Sequence, residues 1–432
     1  MAQGKLAGRE AVPPSGKSKT FFTNPHLKDL NQRGIGGMDP SVYLSVCCRN
    51  SDFAPESRCP LYKVSVPDHS SSLPTGASAS RESLRQIARL ETCVVSKTFI
   101  SLPPSGWIIG VGGNPGSTII IDTSKPKKVI RGPDLVAAKW NPILNAVGNK
   151  VYALCNCPNY IFKTKRNLVP WFEVLDLSKT TVTKAADGSL SLDGCSWEEL
   201  SWPLCFPRRL SPNGYKSPPV ITIRSYVVVL HYILISLNQK PGSTYAFDTI
   251  SGEWHKIDTP LPFIGRATPH GHKGCVFLGS SSENGSVNAY HICVSTSSCS
   301  LTAAGEGTAA LKLSITVCFT VRTTHQEVST MAGQHIVSLD RERFSLLTFS
   351  LGNHKHRMTL FGEWGESYAT KLFAKLTTYH IENPALLEET HEPKKLWAVK
   401  HEILLSKQQE QNFDLFSSYG FSSPPILFAL SI

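Results

Sequence analysis

From about residue 91 the chain is built of short apolar runs in which branched and aromatic side chains recur at every second position. That period puts one set of side chains on each face of an extended strand, and Gly, Pro, Asn, Asp and Ser close each run. The order of the runs also recurs. An apolar strand ends in glycine or a tight turn, and the next closes on an acidic or polar residue. An aromatic-bearing strand and a proline-rich link follow. The first instance takes in 107–113, 117–123, 128–130 and 132–135; the second, 148–154, 171–177, 197–200 and Pro203. The third takes in 232–237, 243–249, 252–257 and 261–263, and a weaker fourth 274–279 and 287–292. The last third is irregular, with strand patterns at 314–321, 335–339, 344–349, 371–381, 396–405 and 426–432.

Residues 1–37 are polar and rich in Gly and Lys without sustained periodicity, which predicts a disordered basic leader. Met38 then opens the first strand-like stretch, 38–46, and is a candidate natural start. One short helix is expected at 81–90. Loops are expected at 178–194 and at 295–310, the latter rich in Ser, Thr, Gly and Ala.

A four-stranded unit cannot bury both faces of its own sheet. Units stacked radially cover one another, so the repeat predicts an all-β propeller over residues 38–432, with about six blades. The closing contact is expected between strand 426–432 and an early strand near 42–47. Within the repeat, the adjacent Gly112 and Gly113 let backbones approach closely. Asp122, Asp176 and Asp248 end their strands where a carboxylate can accept turn N–H groups. Trp197 and Trp254 fall on the following strand, where an indole can wedge between sheets.

A di-glycine, an aromatic residue and a tryptophan a few residues on resemble the kelch repeat. The run 107–292 is similar to plant, particularly grass, kelch-like β-propeller proteins of unknown function. Rigid blades present variable loops on both faces, so a non-catalytic scaffold that presents loops to protein partners is expected. Some such plant proteins carry an N-terminal F-box. Residues 1–60 show no helical module of that kind, so a ubiquitin-ligase adaptor role is not carried over.

Composition agrees with this reading. Charged residues are 18% of the chain against a usual value of about 25%, while Gly (31) and Pro (29) are plentiful, which suits strands and turns. No apolar run reaches the length of a membrane helix, and no secretory signal pattern opens the chain; a cytoplasmic or nuclear protein is expected. The twelve cysteines are scattered without a CxxC pair and read as free thiols. The net charge of +11 comes from 44 basic and 33 acidic residues, and the first 37 residues supply six of the former and two of the latter. Over the rest the excess is mild, enough for weak attraction to acidic partners without requiring nucleic acid.

Sites of chemistry are scarce in the pattern. The glycines of 110–116 are followed by a strand rather than a helix, so they read as a hairpin turn and not a phosphate loop. Cys155 and Cys157, Cys47 and Cys48, and His270 and His272 lack the two spaced pairs of a zinc site, and no cofactor or metal is expected. Neither a GxSxG elbow nor a paired-acid motif occurs, so no catalytic residues are assigned. A metal-dependent propeller oxidase and a nucleic-acid-binding propeller are the competing readings. The basic clusters 125–128, 163–166 and 208–209 read as solvated turns. Segment 263–271 is expected to be a polar loop linking the third and fourth units, and its Arg266 and His270 are the candidate partner contacts.

Overall fold

Period-two patterning makes strands, and strands with two apolar faces need neighbours on both sides. The computed structural model describes residues 41–46, 59–66, 84–90, 97–113, 116–158, 160–161, 166–167, 169–207, 211, 220–238, 242–271, 274–297, 310–321, 334–358, 364–384, 405–416 and 426–431. Among these the chain is all-β apart from helical turn at the edges of loops, chiefly the 3-10 turn Pro103–Ser105. The leader, 1–37, and the Cys47–Cys48 pair lie outside the described residues.

The first sheet holds β1 (Ser41–Val46), β2 (Cys59–Ser65), β3 (Leu84–Leu90) and the last strand of the chain, β28 (Ile426–Ser431), in the order β28-β1-β2-β3. The second runs β4 (Lys97–Leu102), β5 (Trp107–Gly112), β6 (Ser117–Asp122) and β7 (Val129–Arg131). The third runs β8 (Ile143–Val147), β9 (Lys150–Leu154), β12 (Phe172–Asp176) and β15 (Trp197–Glu199). A small ladder, β10 (Tyr160–Ile161) with β11 (Arg166–Asn167), decorates its middle connection. A hairpin, β13 (Thr181–Lys184) with β14 (Leu190–Asp193), precedes its last strand.

The fourth sheet has eight strands and consists of two meanders. One is β16 (Ile223–Val229), β17 (Tyr232–Leu237), β18 (Thr244–Asp248) and β19 (Trp254–Ile257); the other is β20 (Phe263–His270), β21 (Val276–Ser281), β22 (Val287–Ser297) and β23 (Ala310–Val321). A short parallel pairing of β16 with β20 joins them. The fifth sheet runs β24 (Gln334–Ser338), β25 (Arg343–Met358), β26 (Trp364–Ile381) and β27 (Leu405–Phe416).

The sheets are arranged like those of a propeller. The lead strands β28, β4, β8, β16, β20 and β24 neighbour one another in that order, and β24 returns to β28. The circuit closes because β28 pairs antiparallel with β1, from Val42 opposite Ser431 to Val46 opposite Ile426. Apolar clusters fill the spaces between successive meanders. Phe99, Ile108 and Ile121 meet Tyr43 and Leu61 between the first and second sheets, and Ile100, Ile109 and Ile120 meet Leu144 and Leu175 between the second and third. Tyr152 and Phe172 meet Ile233 and Phe247 between the third and fourth. The remaining clusters continue past Phe263 and Phe344 to Leu347, Phe349, Val42 and Leu44, which brings the core back to its start.

Three sequence expectations give way. The stretch expected to be helical at 81–90 is strand β3 from Leu84, paired with β2. A helix that short is marginal alone, and the open edge of β2 offers backbone partners; Arg85 and Arg89 keep the new edge charged and exposed. The expected loop 178–194 contains the β13–β14 hairpin, whose second strand pairs in parallel with β7 and widens the second sheet to six strands. Its turn is an Asp187-Gly188 pair in which Gly188 has φ 84° and Asp187 accepts the Ser189 N–H at 2.9 Å. The expected loop 263–271 is strand β20 through His270. The segment is extended because it pairs with β21 along its length, from Phe263 opposite Ser281 to His270 opposite Val276, and Pro269 lies beyond the short pairing with β16.

Two charged groups are buried at the joints of the second and third sheets. Lys139 and Glu173 have fully buried side chains and form an ion pair. Lys139 also donates to the Pro170 carbonyl at 2.8 Å, and Glu173 accepts the backbone N–H groups of Val136 (2.8 Å) and Ala137 (3.3 Å). Lys139→Met should destabilise the fold by about 3–5 kcal/mol, because Glu173 is left buried without its counter-charge. The double replacement Lys139→Met with Glu173→Leu should recover only part of this, since two N–H groups then lack an acceptor; urea unfolding of the three proteins measures both steps.

His335 on β24 packs edge-on against Phe349, their ring centres 6.0 Å apart, and burial pushes its imidazole down from 6.5 to about 4. The unfolded chain therefore binds this proton more readily than the folded one. Stability from this residue is complete above pH 6.5 and declines as pH falls toward about 4. His335→Phe should flatten the fall of Tm with pH across that window relative to wild type; parallel curves would disprove the assignment.

Candidate functional site

The repeat positions occupy joints. Gly112 and Gly113, with φ of 126° and 87°, end β5 in a conformation that disfavours any side chain. The Lys97 ammonium donates to the Gly112 carbonyl at 2.7 Å and to the Ser117 carbonyl at 2.6 Å, while the Gly113 N–H donates to the Lys139 carbonyl at 2.8 Å. The glycine pair thus ties the second sheet to the segment entering the third.

The three aspartates close turns. Asp122 accepts the Ser124 N–H at 2.9 Å, Asp176 the Ser178 N–H at 2.9 Å, and Asp248 the Ile250 N–H at 2.8 Å. Hydrogen bonding to Ser178 holds the Asp176 carboxyl below its ordinary range, with a smaller contribution from Lys150 at 3.5 Å. The tryptophans reach backward from the last strand of one meander to the sheet before it. Trp197 Nε1 donates to Thr118 Oγ1 at 3.0 Å; Trp254 Nε1 donates to the Ser201 carbonyl at 2.9 Å and its ring lies 5.6 Å from Phe172.

Arg266 and His270, expected on a loop, lie on β20 among the lead strands. His270 is buried, and its Nδ1 lies 3.0 Å from Ser338 Oγ on β24. Thr268 Oγ1 donates to the Ile336 carbonyl at 3.1 Å, and Ser431 Oγ to the Ser338 carbonyl at 2.6 Å. Ser225 Oγ donates to the Phe263 carbonyl. These bonds link β16, β20, β24 and β28 in succession. Arg266 is half-buried and stands beside Tyr226 across the β16–β20 ladder. The structure does not bring Arg266 and His270 together into one surface: one neighbours β16, the other β24.

Burial makes the described cysteines with shifted thiols poor nucleophiles. Burial pushes the Cys155, Cys205 and Cys318 thiols up to about 12 and raises Cys157, Cys195 and Cys293 as well. Cys155, Cys157, Cys195, Cys205, Cys275, Cys293 and Cys318 are in no disulfide, and among the described residues no group of three or more His, Cys, Asp or Glu is placed to hold a metal. His272 lies outside the described residues, as do Arg208, Arg209 and most of 163–166; the 125–128 cluster is an exposed turn. No described helix is long and apolar enough to cross a membrane.

Sequence reasoning missed the surface that the links between sheets create. The segments leading into β8 and β16 expose large apolar side chains, Val136, Trp140 (50% exposed), Leu204 and Val220 (78%), and β20 exposes Ile264 near its start. No periodicity marks them, because a single exposed apolar residue in a link is ordinary; only the shared placement at the entrances of neighbouring lead strands groups them. On hairpins leaving the lead strands or closing the third, Leu230 and Ile250 are exposed singly.

Among solved structures, the chain is similar to a protein from Lactobacillus plantarum at 10% identity and TM-score 0.39, covering 91% of this chain and all of that one. It is also similar to apo AztD from Citrobacter koseri at 8% identity and TM-score 0.36, covering 91% and 98%, and to the β-propeller domain of Cps50 (Swd1) from Myceliophteria thermophila at 11% identity and TM-score 0.29, covering 65% and 92%. Likenesses this distant carry nothing about chemistry. No curated protein matches the sequence. Residues 40–404, from the start of β1 almost to the last strand of the fifth sheet, match the family described as protein of unknown function (DUF1668), and the chain belongs to that family.

Proposed function

We propose that this protein is a non-catalytic interaction platform, a kelch-like propeller of six blades that offers a fixed rim to a protein partner. Six blades result when the two meanders of the eight-stranded sheet are counted separately, since their joint is only a short parallel pairing. The observation that carries the platform reading is the exposed apolar set Val136, Trp140, Leu204, Val220 and Ile264, in the links into β8 and β16 and at the start of β20. Exposed aromatic and aliphatic anchors on a rigid support are the usual core of a protein interface. The net charge of +11 favours a partner that is acidic around its apolar contact. Burial holds the thiols of Cys155, Cys205 and Cys318 protonated, which makes each a weak nucleophile.

The reading is tested by affinity capture with paired variants. Trp140→Asp combined with Val220→Asp should abolish retention of a specific acidic partner, with Tm unchanged within a few degrees because both side chains already face solvent. Leu230→Asp combined with Ile250→Asp should leave retention intact. Equal retention by the two double variants would overturn the proposal.

A further inference from the structure

Several outer strands of the ring keep charge on their open side. β3 exposes Arg85 and Arg89, β15 exposes Glu198 and Glu199, and β19 exposes Lys256; β23 exposes only Lys312, Ser314 and Thr320 between Leu311 and Val321. Charge on an edge strand is the ordinary guard against pairing with another chain. β13 (Thr181–Lys184), the outermost strand of the six-stranded second sheet, lacks that guard. All four of its residues are exposed, Val182 at 44%, and its one charge, Lys184, stands at the end. Three β-branched residues in a row, in even register with β14 and without proline, keep it extended.

The hydrogen-bonding side of β13 is open as well. At the hairpin turn the Ala185 N–H donates to the Ser189 carbonyl at 2.9 Å. Successive residues of a strand alternate in the side to which their N–H and C=O point, so Thr183 and Thr181 bond to Ser191 and Asp193 of β14. Val182 and Lys184 turn theirs outward, where no described strand pairs with β13. From behind, the hairpin is held by the parallel pairing of β14 with β7. Leu190 and Leu192 also pack it against the core between the second and third sheets. The edge is thus fixed before anything meets it, which lowers the entropy cost of pairing.

The strand also complements itself. Thr181-Val182-Thr183 reads the same in both directions. Two copies laid antiparallel, Val182 of one opposite Val182 of the other, place each Thr181 opposite a Thr183, so β-branched residues meet across the ladder. Lys184 then falls opposite Thr180 and Lys179 opposite Ala185, so no like charges are opposed. We infer that β13 joins two copies of this chain in a two-fold dimer, continuing the second sheet of one into that of the other. The contact is isologous and uses each edge once, so it closes at two copies. Its small size makes the dimer weak and concentration-dependent. It does not involve the exposed apolar set of the proposed platform, so either proposal can stand without the other.

Sedimentation equilibrium on the full chain tests it. The average mass should rise with concentration from that of one chain toward that of two. Added sodium chloride should not reverse the rise, because salt screens the repulsion between copies of net charge +11 and leaves backbone pairing intact. Val182→Pro removes an outward N–H that β14 does not use, and Val182→Lys sets two cations face to face on the two-fold axis. Each should weaken the dimer by roughly 10-fold or more, with Tm within a few degrees of wild type. Ile250→Lys, on an exposed hairpin of another sheet, should leave it unchanged. Under mild oxidation Val182→Cys should form a cross-linked dimer that wild type does not. Residues opposite each other in such a ladder lie about 5.5 Å apart at Cα, within disulfide reach. The proposal is overturned if the mass stays that of one chain at every concentration, if salt dissociates the dimer, or if the Val182 variants associate as wild type does. A single chain whose capture of another protein is lost in Val182→Lys also overturns it, and gives the edge to an extended segment of that protein instead.

Discussion

Each meander in this protein has two apolar faces and can bury neither without a neighbour, and the remaining features follow from that constraint. Ile100, Ile109 and Ile120 are dry only because Leu144, Val151 and Leu175 of the next sheet lie over them. The same relation repeats around the circuit until Val42 and Leu44 meet Leu347 and Phe349. An open row of sheets would leave two apolar faces wet. The pairing of β28 with β1 removes both at once by building one sheet from the two ends of the described fold. Closure of this kind is a long-range contact, so the last sheet to form depends on strands separated by nearly the whole chain.

Polar groups set the angles that apolar contact leaves undetermined. The indole nitrogens of Trp197 and Trp254 each find an acceptor on the preceding sheet or its link, which fixes where the ring sits as well as how deep. Lys97 and Lys139 do the same from the other side, gathering the carbonyls of Gly112, Ser117 and Pro170 at the turns. Such groups are costly to bury and are tolerated where every donor is matched.

Much of the fold was legible in the chain. Period-two runs marked β5, β6, β9, β12, β17 and β18, and the aspartates that end β6, β12 and β18 do close turns through their carboxylates. The rest was hidden because the deciding partner is remote in sequence. Leu84–Leu90 has enough Leu, Arg and Ala to read as helix, and becomes a strand because the edge of β2 is available to it. Phe263–His270 contains Gly and Pro and reads as a loop, and becomes a strand because it leads a sheet beside β16. The sequence pointed to Arg266 as a surface contact, whereas its neighbour Tyr226 depends on the register between two strands some forty residues apart.

By itself the sequence determined what is local: extended segments with two apolar faces, the turns between them, and aromatic residues spaced to reach a neighbouring layer. Those properties depend on side-chain period and backbone preference over a few residues. Tertiary structure alone decided which strand leads each sheet, which edge recruits an ambiguous segment, and which buried charges face one another. Each of these depends on what stands opposite, and that is set only when the ring closes.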